Sequence, residues 1–269
     1  TNCLVLEYCD GGDLKSALTK PTPPRFFSRC ANSIASGLAY LHKRNFIHRD
    51  LKPANVLLHG NVSSGNFVVK VTDFGVAKVI PPALQDTSMQ KTNEMTAETG
   101  TYRWMAPEVI RHEPYSFAAD VYSFALIMWQ LITHENPFAP HSQLLAAGRV
   151  ALEGARPPFP PDIPAPLEGH IVACWNEKPK DRPAIGAVQQ FHENWSAACH
   201  EHTRDWDTWL DCPVGHPVYS EPEDVGTQEG DGDKSKLLLQ TPGRSIRKQL
   251  SLYLRSACGN KKKAKEQKC

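Results

Sequence analysis

The sequence predicts an α+β fold that is mainly α-helical and has a few short β-strands. Apolar residues recur at helical spacing over 28–45, and the apolar run 121–133 predicts a helix buried on all sides. The short apolar runs 56–58 and 67–71 are joined by a polar loop and are typical of strands. A chain of 269 residues is long enough to bury a sizeable core, in one large domain or two smaller ones.

The composition narrows the classes of partner. The net charge is +1, which gives no reason to expect a nucleic acid or a membrane as partner. The eight cysteines are scattered without a compact framework, as expected in a reducing cytoplasmic or nuclear setting. The run 121–133 is too short to cross a bilayer, so no transmembrane segment is predicted.

Two further regions have clear patterns. Residues 3–9 form an apolar run that stops at Asp-Gly-Gly-Asp, which predicts a strand followed by a turn. Six prolines over 157–166 exclude a helix there and indicate a surface loop. Apolar residues at Leu167, Ile171 and Cys174 then predict a helix.

The stretch 47–58, IHRDLKPANVLL, carries the strongest chemical signal. Asp50 lies two residues ahead of Lys52 and five ahead of Asn55, between two apolar runs. In phosphoryl transfer a protein mostly positions a hydroxyl, a phosphate and a metal ion. The Asp50 carboxylate suits the proton of an acceptor hydroxyl, Lys52 suits the moving phosphoryl group, and the Asn55 amide oxygen suits Mg²⁺.

This stretch closely resembles the protein-kinase catalytic loop. The resemblance covers roughly residues 3–192, and the motifs Gly-Thr-Tyr-Arg-Trp-Met-Ala-Pro-Glu and Cys-Trp are similar to those of the tyrosine-kinase-like group of serine/threonine kinases. It implies a protein-kinase-like fold with the last N-terminal-lobe strand and the hinge at 1–13, a mainly helical C-terminal lobe at 14–195 and a disordered tail at 196–269. No glycine-rich loop precedes the hinge, so most of the N-terminal lobe is expected to be absent.

The resemblance implies an ATP site beside the hinge. Leu6 holds the gatekeeper position, while the Glu7 carbonyl and the Cys9 amide face adenine. Asp13 lies near the ribose, and Leu57 lies beneath the adenine ring. The alternative is that these residues form an ordinary strand, turn and core.

Asp73, in Asp-Phe-Gly, corresponds by resemblance to the carboxylate that holds Mg²⁺, together with the catalytic-loop asparagine. The segment that follows resembles an activation segment. Thr96 and Thr99 are its candidate phosphate acceptors, and Arg49 is the expected partner of such a phosphate. The alternative is that these threonines are unmodified loop residues. Thr101 is implied to bond the catalytic aspartate and lysine.

The resemblance assigns structural roles to three more residues. Asp120 begins the buried helix, and a buried carboxylate must be paired or hydrogen-bonded. Its implied partners are the backbone amides around His48 and Arg49. Glu108 is implied to form an ion pair with Arg182.

These motifs predict an ATP- and Mg²⁺-dependent protein serine/threonine kinase that acts in signalling on a protein substrate. Lys52 in the loop and the Thr101 motif resemble serine/threonine-directed enzymes, and dual specificity stays open. The alternative is a catalytically inactive kinase-like interaction module, or a truncated fragment that lacks the ATP lid.

Beyond about Asn194 the resemblance ends. The acidic stretch 221–233 predicts a flexible linker. A basic amphipathic stretch over 244–255 suits an acidic partner or a membrane surface, and its alternative is a disordered, lysine-capped tail. Four side chains are candidate zinc ligands whose spacing matches no common zinc finger, so incidental placement is the alternative. They are Cys199, His202, Cys212 and His216.

Overall fold

The computed structural model describes residues 5–79, 102–161 and 163–201, with the backbone alone for 198–201. The helices in these ranges are α1 (Leu14–Ala17), α2 (Phe26–Lys43), α3 (Pro107–Ile110), α4 (Ala118–Thr133), α5 (Gln143–Glu153), α6 (Ala165–Cys174) and α7 (Ile185–Glu201). The strands are β1 (Phe46–Ile47), β2 (Val56–Asn61), β3 (Asn66–Val71) and β4 (Lys78–Val79). The predicted α+β class, mainly helical with short strands, is confirmed. Across the described ranges, no helix has both the length and the hydropathy to span a bilayer.

Helix α4 forms the centre of the core. Every side chain over 119–132 is buried, as the unbroken apolar run predicts. Full burial of one large apolar side chain contributes about 1.5–3 kcal/mol, so this helix is a main source of stability. Two of its polar side chains have hydrogen-bond partners: Ser123 Oγ donates to the Trp104 carbonyl (2.7 Å), and Gln130 Oε1 accepts from Trp104 Nε1 (3.2 Å). The buried Tyr122 hydroxyl has no hydrogen-bond partner among the described residues.

Helix α2 packs against α4, α7 and β3. Gly37 allows the close approach to β3, because a Cβ at this position would lie 3.2 Å from Val71 Cγ2. The helix ends in the turn that leads to the catalytic stretch, residues 47–58. The apolar residues of its buried face are Phe26, Phe27, Cys30, Ala31, Ile34, Ala35 and Leu38.

Two small antiparallel sheets hold two loops side by side. Strands β2 and β3 pair in the register Val56 opposite Val71, and β1 pairs with β4, with Phe46 opposite Val79. The stretch 48–55 connects β1 to β2, and the stretch 72–77 connects β3 to β4. Both loops therefore begin in one sheet and end in the other, which fixes them next to each other.

Two sequence predictions are corrected by the structure. Residues 5–9 do not form the predicted strand: Val5 and Tyr8 are 89% and 82% exposed, and the described residues place no strand beside them. A strand is stable only when a neighbour pairs with its backbone. The six prolines were expected to exclude a helix over 157–166, but α6 begins at Ala165 and includes Pro166. A proline in the first helical turn loses no hydrogen bond, since the amides of that turn have no intrahelical acceptor.

A buried ion pair joins α3 to the turn before α7. Arg182 Nη1 and Nη2 donate to Glu108 Oε1 and Oε2 at 2.7 and 2.8 Å. The two side chains are 0% and 2% exposed, and Arg182 also donates to the Ala118 carbonyl (2.9 Å). The implied pair is therefore present, and the additional hydrogen bond offsets part of the cost of burying the guanidinium.

A cluster of histidine and aromatic rings lies where α7 meets α2, α4 and α6. His192 packs edge-on against Phe124 (5.4 Å) and His170 (5.1 Å), and His170 stacks on Phe191 (3.7 Å). Burial lowers the pKa of His170 to about 4. Burial, aided by the nearby His170, lowers the pKa of His192 to about 3. Both rings are therefore neutral in the folded protein.

The histidine cluster predicts acid lability. An unfolded histidine has a pKa of about 6.5, so the unfolded chain binds more protons than the folded chain below this pH. The stabilisation by the two neutral rings is complete above about pH 6.5 and is lost as the pH falls towards the folded pKa values. We expect His192→Phe to flatten the pH dependence of the free energy of unfolding between pH 6.5 and 4, as measured by urea titration. The exposed His112→Gln serves as control, and equal slopes in both variants would contradict the assignment.

Candidate active site

The carboxylate of Asp120 holds the catalytic stretch by its backbone. Asp120 is 1% exposed in the first turn of α4. Its Oδ2 accepts from the His48 amide (2.8 Å), and its Oδ1 accepts from the Arg49 amide (2.9 Å). His42 Nε2, near the end of α2, lies 2.9 Å from Oδ2. These contacts satisfy a charge that is costly to bury alone.

Arg49 has a left-handed backbone, with φ 71°. This conformation costs a non-glycine residue about 1–2 kcal/mol, so the Asp120 contacts have to maintain it. The Arg49 guanidinium lies over the Tyr115 ring, 5.4 Å from its centroid. Its Nε is buried and has no hydrogen-bond acceptor within the described part of the chain.

His48 joins the two loops. Its ring is fully buried, with Nε2 2.9 Å from the Thr72 carbonyl and Nδ1 3.3 Å from the Asp50 amide. Because a carbonyl accepts and an amide donates, this geometry selects the neutral tautomer with the proton on Nε2. The ring also contacts Phe74, with 5.5 Å between centroids. His48 therefore ties the residue before Asp73 to the backbone of Asp50.

Asp50, Lys52 and Asn55 form a compact polar cluster. Lys52 Nζ lies 2.6 Å from Asp50 Oδ2, and Asn55 Nδ2 donates to the same oxygen at 2.9 Å. Asn55 Nδ2 also donates to the Asp50 carbonyl at 2.7 Å. The side chains of Asp50 and Lys52 are 15% and 19% exposed, so both are reachable from solvent. The Oδ1 atom of Asp50 has no hydrogen-bond partner among the described residues.

Asp73 and Asn55 supply oxygen atoms suited to a magnesium ion. Both N–H groups of the Asn55 side chain bind Asp50, which leaves its Oδ1 for a cation. The Thr72 amide donates to the Asn55 carbonyl (3.0 Å), so the backbone brings the two residues together. Asp73 is exposed, has φ 65°, and accepts from the Gly75 amide (3.3 Å). Mg²⁺ takes one or two protein oxygens and keeps phosphate and water oxygens, so this pair is a sufficient donor set.

No larger metal site is found in ranges 5–79, 102–161 and 163–197, where no three His, Cys, Asp or Glu side chains gather around a point. The four candidate zinc ligands, the acidic stretch and the basic stretch all lie outside the residues whose side chains are described.

Strand β2 anchors the chain that precedes α1. The Gly11 amide donates to the Leu58 carbonyl (2.9 Å), and the Leu58 amide donates to the Gly12 carbonyl (2.8 Å). Asp13 forms a β-bridge with Leu57, and its carboxylate caps α1 by accepting from the Ser16 amide (2.6 Å). The Asp13 side chain is therefore occupied in the structure. The segment 11–13 and Leu57 nevertheless lie together, as the predicted ATP site requires.

The remaining hinge residues lie nearer the surface. Leu6 is 68% exposed, and Cys9 is a half-buried free thiol. The Glu7 carboxylate lies 2.5 Å from Lys70 Nζ on β3, and this hydrogen bond holds the pKa of Glu7 below its usual value. Asp10 accepts from the Gly60 amide (2.7 Å) on β2. The hinge is therefore fastened to the β2–β3 hairpin by side chains as well as by backbone.

Three predicted residues of the activation segment, Thr96, Thr99 and Thr101, lie outside the described residues.

Sequence reasoning missed His42 and Lys70, which contact Asp120 and Glu7. Each is a single polar residue within a helical or strand pattern. No local spacing distinguishes such a residue from an ordinary surface side chain.

The fold and the site together define the class of protein. A mainly helical lobe holds Asp50 and Lys52 next to a pair of magnesium-type donors, Asn55 and Asp73, and the hinge is attached to the same lobe. A family model described as protein tyrosine and serine/threonine kinase matches residues 1–191. The chain therefore belongs to the protein kinase family, and the predicted protein-kinase-like fold is confirmed in the part that the structure describes.

The relatives are kinases of the tyrosine-kinase-like type. Serine/threonine-protein kinase STY46 of Arabidopsis thaliana is 41% identical over 196 residues, which covers 71% of this chain and 32% of that protein. Mitogen-activated protein kinase kinase kinase 10 of Homo sapiens is 37% identical over 193 residues, covering 69% and 19%. Serine/threonine/tyrosine-protein kinase HT1 of Arabidopsis thaliana is 36% identical over 205 residues, covering 74% and 48%. The chain thus spans less than half the length of each of these relatives.

The close contact between the hinge and β2 predicts that a side chain is not tolerated at Gly11. A Cβ at this position would lie 2.7 Å from the Leu58 carbonyl oxygen, a backbone atom that cannot move aside on its own. We expect Gly11→Ala to break the contact with β2 and lower the free energy of unfolding by about 1–3 kcal/mol. Gly169→Ala is the matched control, because nothing lies within 4 Å of its Cβ position in α6. Equal thermal midpoints for Gly11→Ala and the wild type would contradict this account of the hinge.

Proposed function

We propose that the product of the complete reading frame is an ATP- and Mg²⁺-dependent protein serine/threonine kinase. The observation that carries the proposal is the state of the Asp50 carboxylate. One of its oxygens is held by Lys52 and Asn55, and the other is left without a partner among the described residues. Such a group is fixed in position and still able to accept a proton.

The proposed reaction uses Asp50 as the proton acceptor. The hydroxyl of a substrate serine or threonine gives its proton to Asp50 Oδ1 as its oxygen bonds to the γ-phosphorus of ATP. The bond from that phosphorus to the β,γ-bridging oxygen breaks, and ADP leaves. Lys52, 2.6 Å from the other carboxylate oxygen, lies where it can stabilise the charge on the transferred phosphoryl group.

The oxygens of Asn55 and Asp73 would hold the magnesium ion, which neutralises charge on the ATP phosphates when it is bound. The Asn55 amide is oriented for this role by its two hydrogen bonds to Asp50. Asp73 is fixed next to it by the Thr72 backbone. The same asparagine thus links the base to the metal donors.

Serine/threonine selectivity is supported by Lys52 and by two of the relatives, the serine/threonine kinase STY46 and the serine/threonine/tyrosine kinase HT1. The hinge segment 11–13 and Leu57 are proposed to line the nucleotide site, because β2 holds them together.

The proposal predicts that removing the carboxylate of either Asp73 or Asp50 lowers the rate of phosphate transfer. In the product of the complete reading frame, Asp73→Asn is expected to lower the rate of phosphate transfer from ATP to a generic serine/threonine substrate by about 10²–10³-fold. Asp50→Asn is expected to lower it by about 10²–10⁴-fold. The measurement is incorporation of labelled phosphate at saturating Mg²⁺.

The matched control is Asp181→Asn, which makes the same change at an exposed aspartate in the turn before α7. Its rate should stay within about twofold of the wild type, as expected for an exposed substitution. Unchanged transfer in Asp73→Asn would refute the metal assignment. No transfer by the wild type at any Mg²⁺ concentration would favour the interaction module instead.

A further inference from the structure

The segment 102–104 lies beside the catalytic stretch. Met105, the next residue, lines one small cavity together with Arg49 of that stretch. The Trp104 carbonyl accepts from Ser123 Oγ at 2.7 Å, which fastens the segment to α4, the helix that also holds the Arg49 amide. Each residue of an extended peptide spans about 3.3 Å, so a peptide that presents a hydroxyl to the proposed base passes close to this segment.

Arg103 joins the segment to the loop between α4 and α5. Its Nη1 donates to the carbonyls of Pro137 and Phe138 at 2.6 and 2.7 Å, and its Nη2 donates to the His141 carbonyl at 2.5 Å. The donors of a guanidinium form a rigid planar fork, so three such bonds are directional. Arg103 therefore fixes both the position and the orientation of the loop relative to the segment.

The loop 134–141 depends on this support. Phe138 has a left-handed backbone, with φ 56°, which is unfavourable for a residue with a side chain. Its ring is buried, whereas Ala139 and Pro140, the tip of the loop, are exposed. The exposed tip is thus held by contacts beneath it, and Arg103 supplies three of them.

We infer that the segment 102–104 and the tip of the loop form one wall of the groove that receives the acceptor peptide, and that Arg103 is a positioning residue for this peptide. Arg103 acts through the loop and not on the reacting atoms. The inference rests on the proposed function, since it assigns the wall to the peptide that brings the hydroxyl to Asp50. A displaced wall weakens peptide binding equally in the ground state and the transition state, which raises KM and leaves kcat unchanged.

The test is steady-state kinetics of the product of the complete reading frame. The peptide is the best-transferred sequence from a library whose members each contain one serine. Arg103→Met keeps an unbranched stem but removes the donors to all three carbonyls. We expect KM for the peptide to rise by about tenfold or more, which corresponds to a loss of about 1.4 kcal/mol of binding free energy. KM for ATP and kcat should stay within about twofold, as expected when only peptide binding is lost.

Arg156→Met is the matched control. Arg156 also binds loop backbone, because it donates to the carbonyls of Trp175 (3.0 Å) and Ala155 (2.9 Å), but it lies after α5 and not beside the catalytic stretch. Both variants are expected to lower the thermal midpoint, whereas KM for the peptide should rise only in Arg103→Met. Arg103→Lys keeps the charge and one donor group, so its KM should be intermediate. This variant decides the question if Arg103→Met does not fold.

An unchanged KM for the peptide in Arg103→Met, or an equal rise in Arg156→Met, would overturn the inference. A fall in kcat at constant KM would also overturn it, because Arg103 would then act on the transfer step itself.

A wild type that transfers no phosphate would refute the proposed function, and peptide binding then decides the inference separately. The measurement is the fluorescence anisotropy of the same library carrying a fluorescein label. Weaker binding in the Arg103 variants alone would support the peptide groove. Equal binding in the wild type and the Arg103 variants, or no binding by the wild type, would overturn it.

Discussion

The catalytic stretch depends on one buried carboxylate. Asp120 accepts hydrogen bonds from the amides of His48 and Arg49, and His42 contacts it from α2. The left-handed backbone of Arg49 turns the chain so that Asp50 reaches the surface. This turn is strained for a residue with a side chain, and charge-assisted hydrogen bonds are among the few interactions strong enough to hold it. Because α4 is buried along its length, the carboxylate itself cannot shift.

The site is assembled from a few backbone connections. The loops 48–55 and 72–77 both run between the same two small sheets, and His48 bonds one loop to the other through the Thr72 carbonyl. The β2–β3 hairpin also holds the hinge, through Leu58 and through the pairing of Lys70 with Glu7. The sites proposed for the acceptor hydroxyl, the magnesium ion and the nucleotide are therefore all attached to the β2–β3 hairpin. A disturbance of that hairpin should affect all three together.

Much of this arrangement follows from the sequence, and the exceptions have physical causes. The buried helix and the β2–β3 hairpin were predicted because unbroken apolar runs and a polar turn are local patterns, whereas the Glu108–Arg182 pair was implied by the resemblance to protein kinases. Helix α5 was not predicted: its buried face is mostly alanine and glycine instead of large apolar residues, and the signals at its two ends, Ser142 as N-cap and Gly154 as C-cap, were not used. The two-residue strands β1 and β4 exist only through their mutual pairing. The roles of His42 and Lys70 arise from long-range contacts that no spacing shows.

The most direct test of the account is amide hydrogen exchange at His48 and Arg49 in Asp120→Asn. The asparagine side chain has nearly the same shape but offers one oxygen acceptor instead of two. The account predicts that exchange at one or both amides becomes faster by about tenfold or more, the effect of losing one buried hydrogen bond of about 1.4 kcal/mol. The amides of Gly11 and Leu58, held by the β2 connection, should keep their protection. Unchanged protection of the His48 and Arg49 amides would show that something other than Asp120 holds the loop.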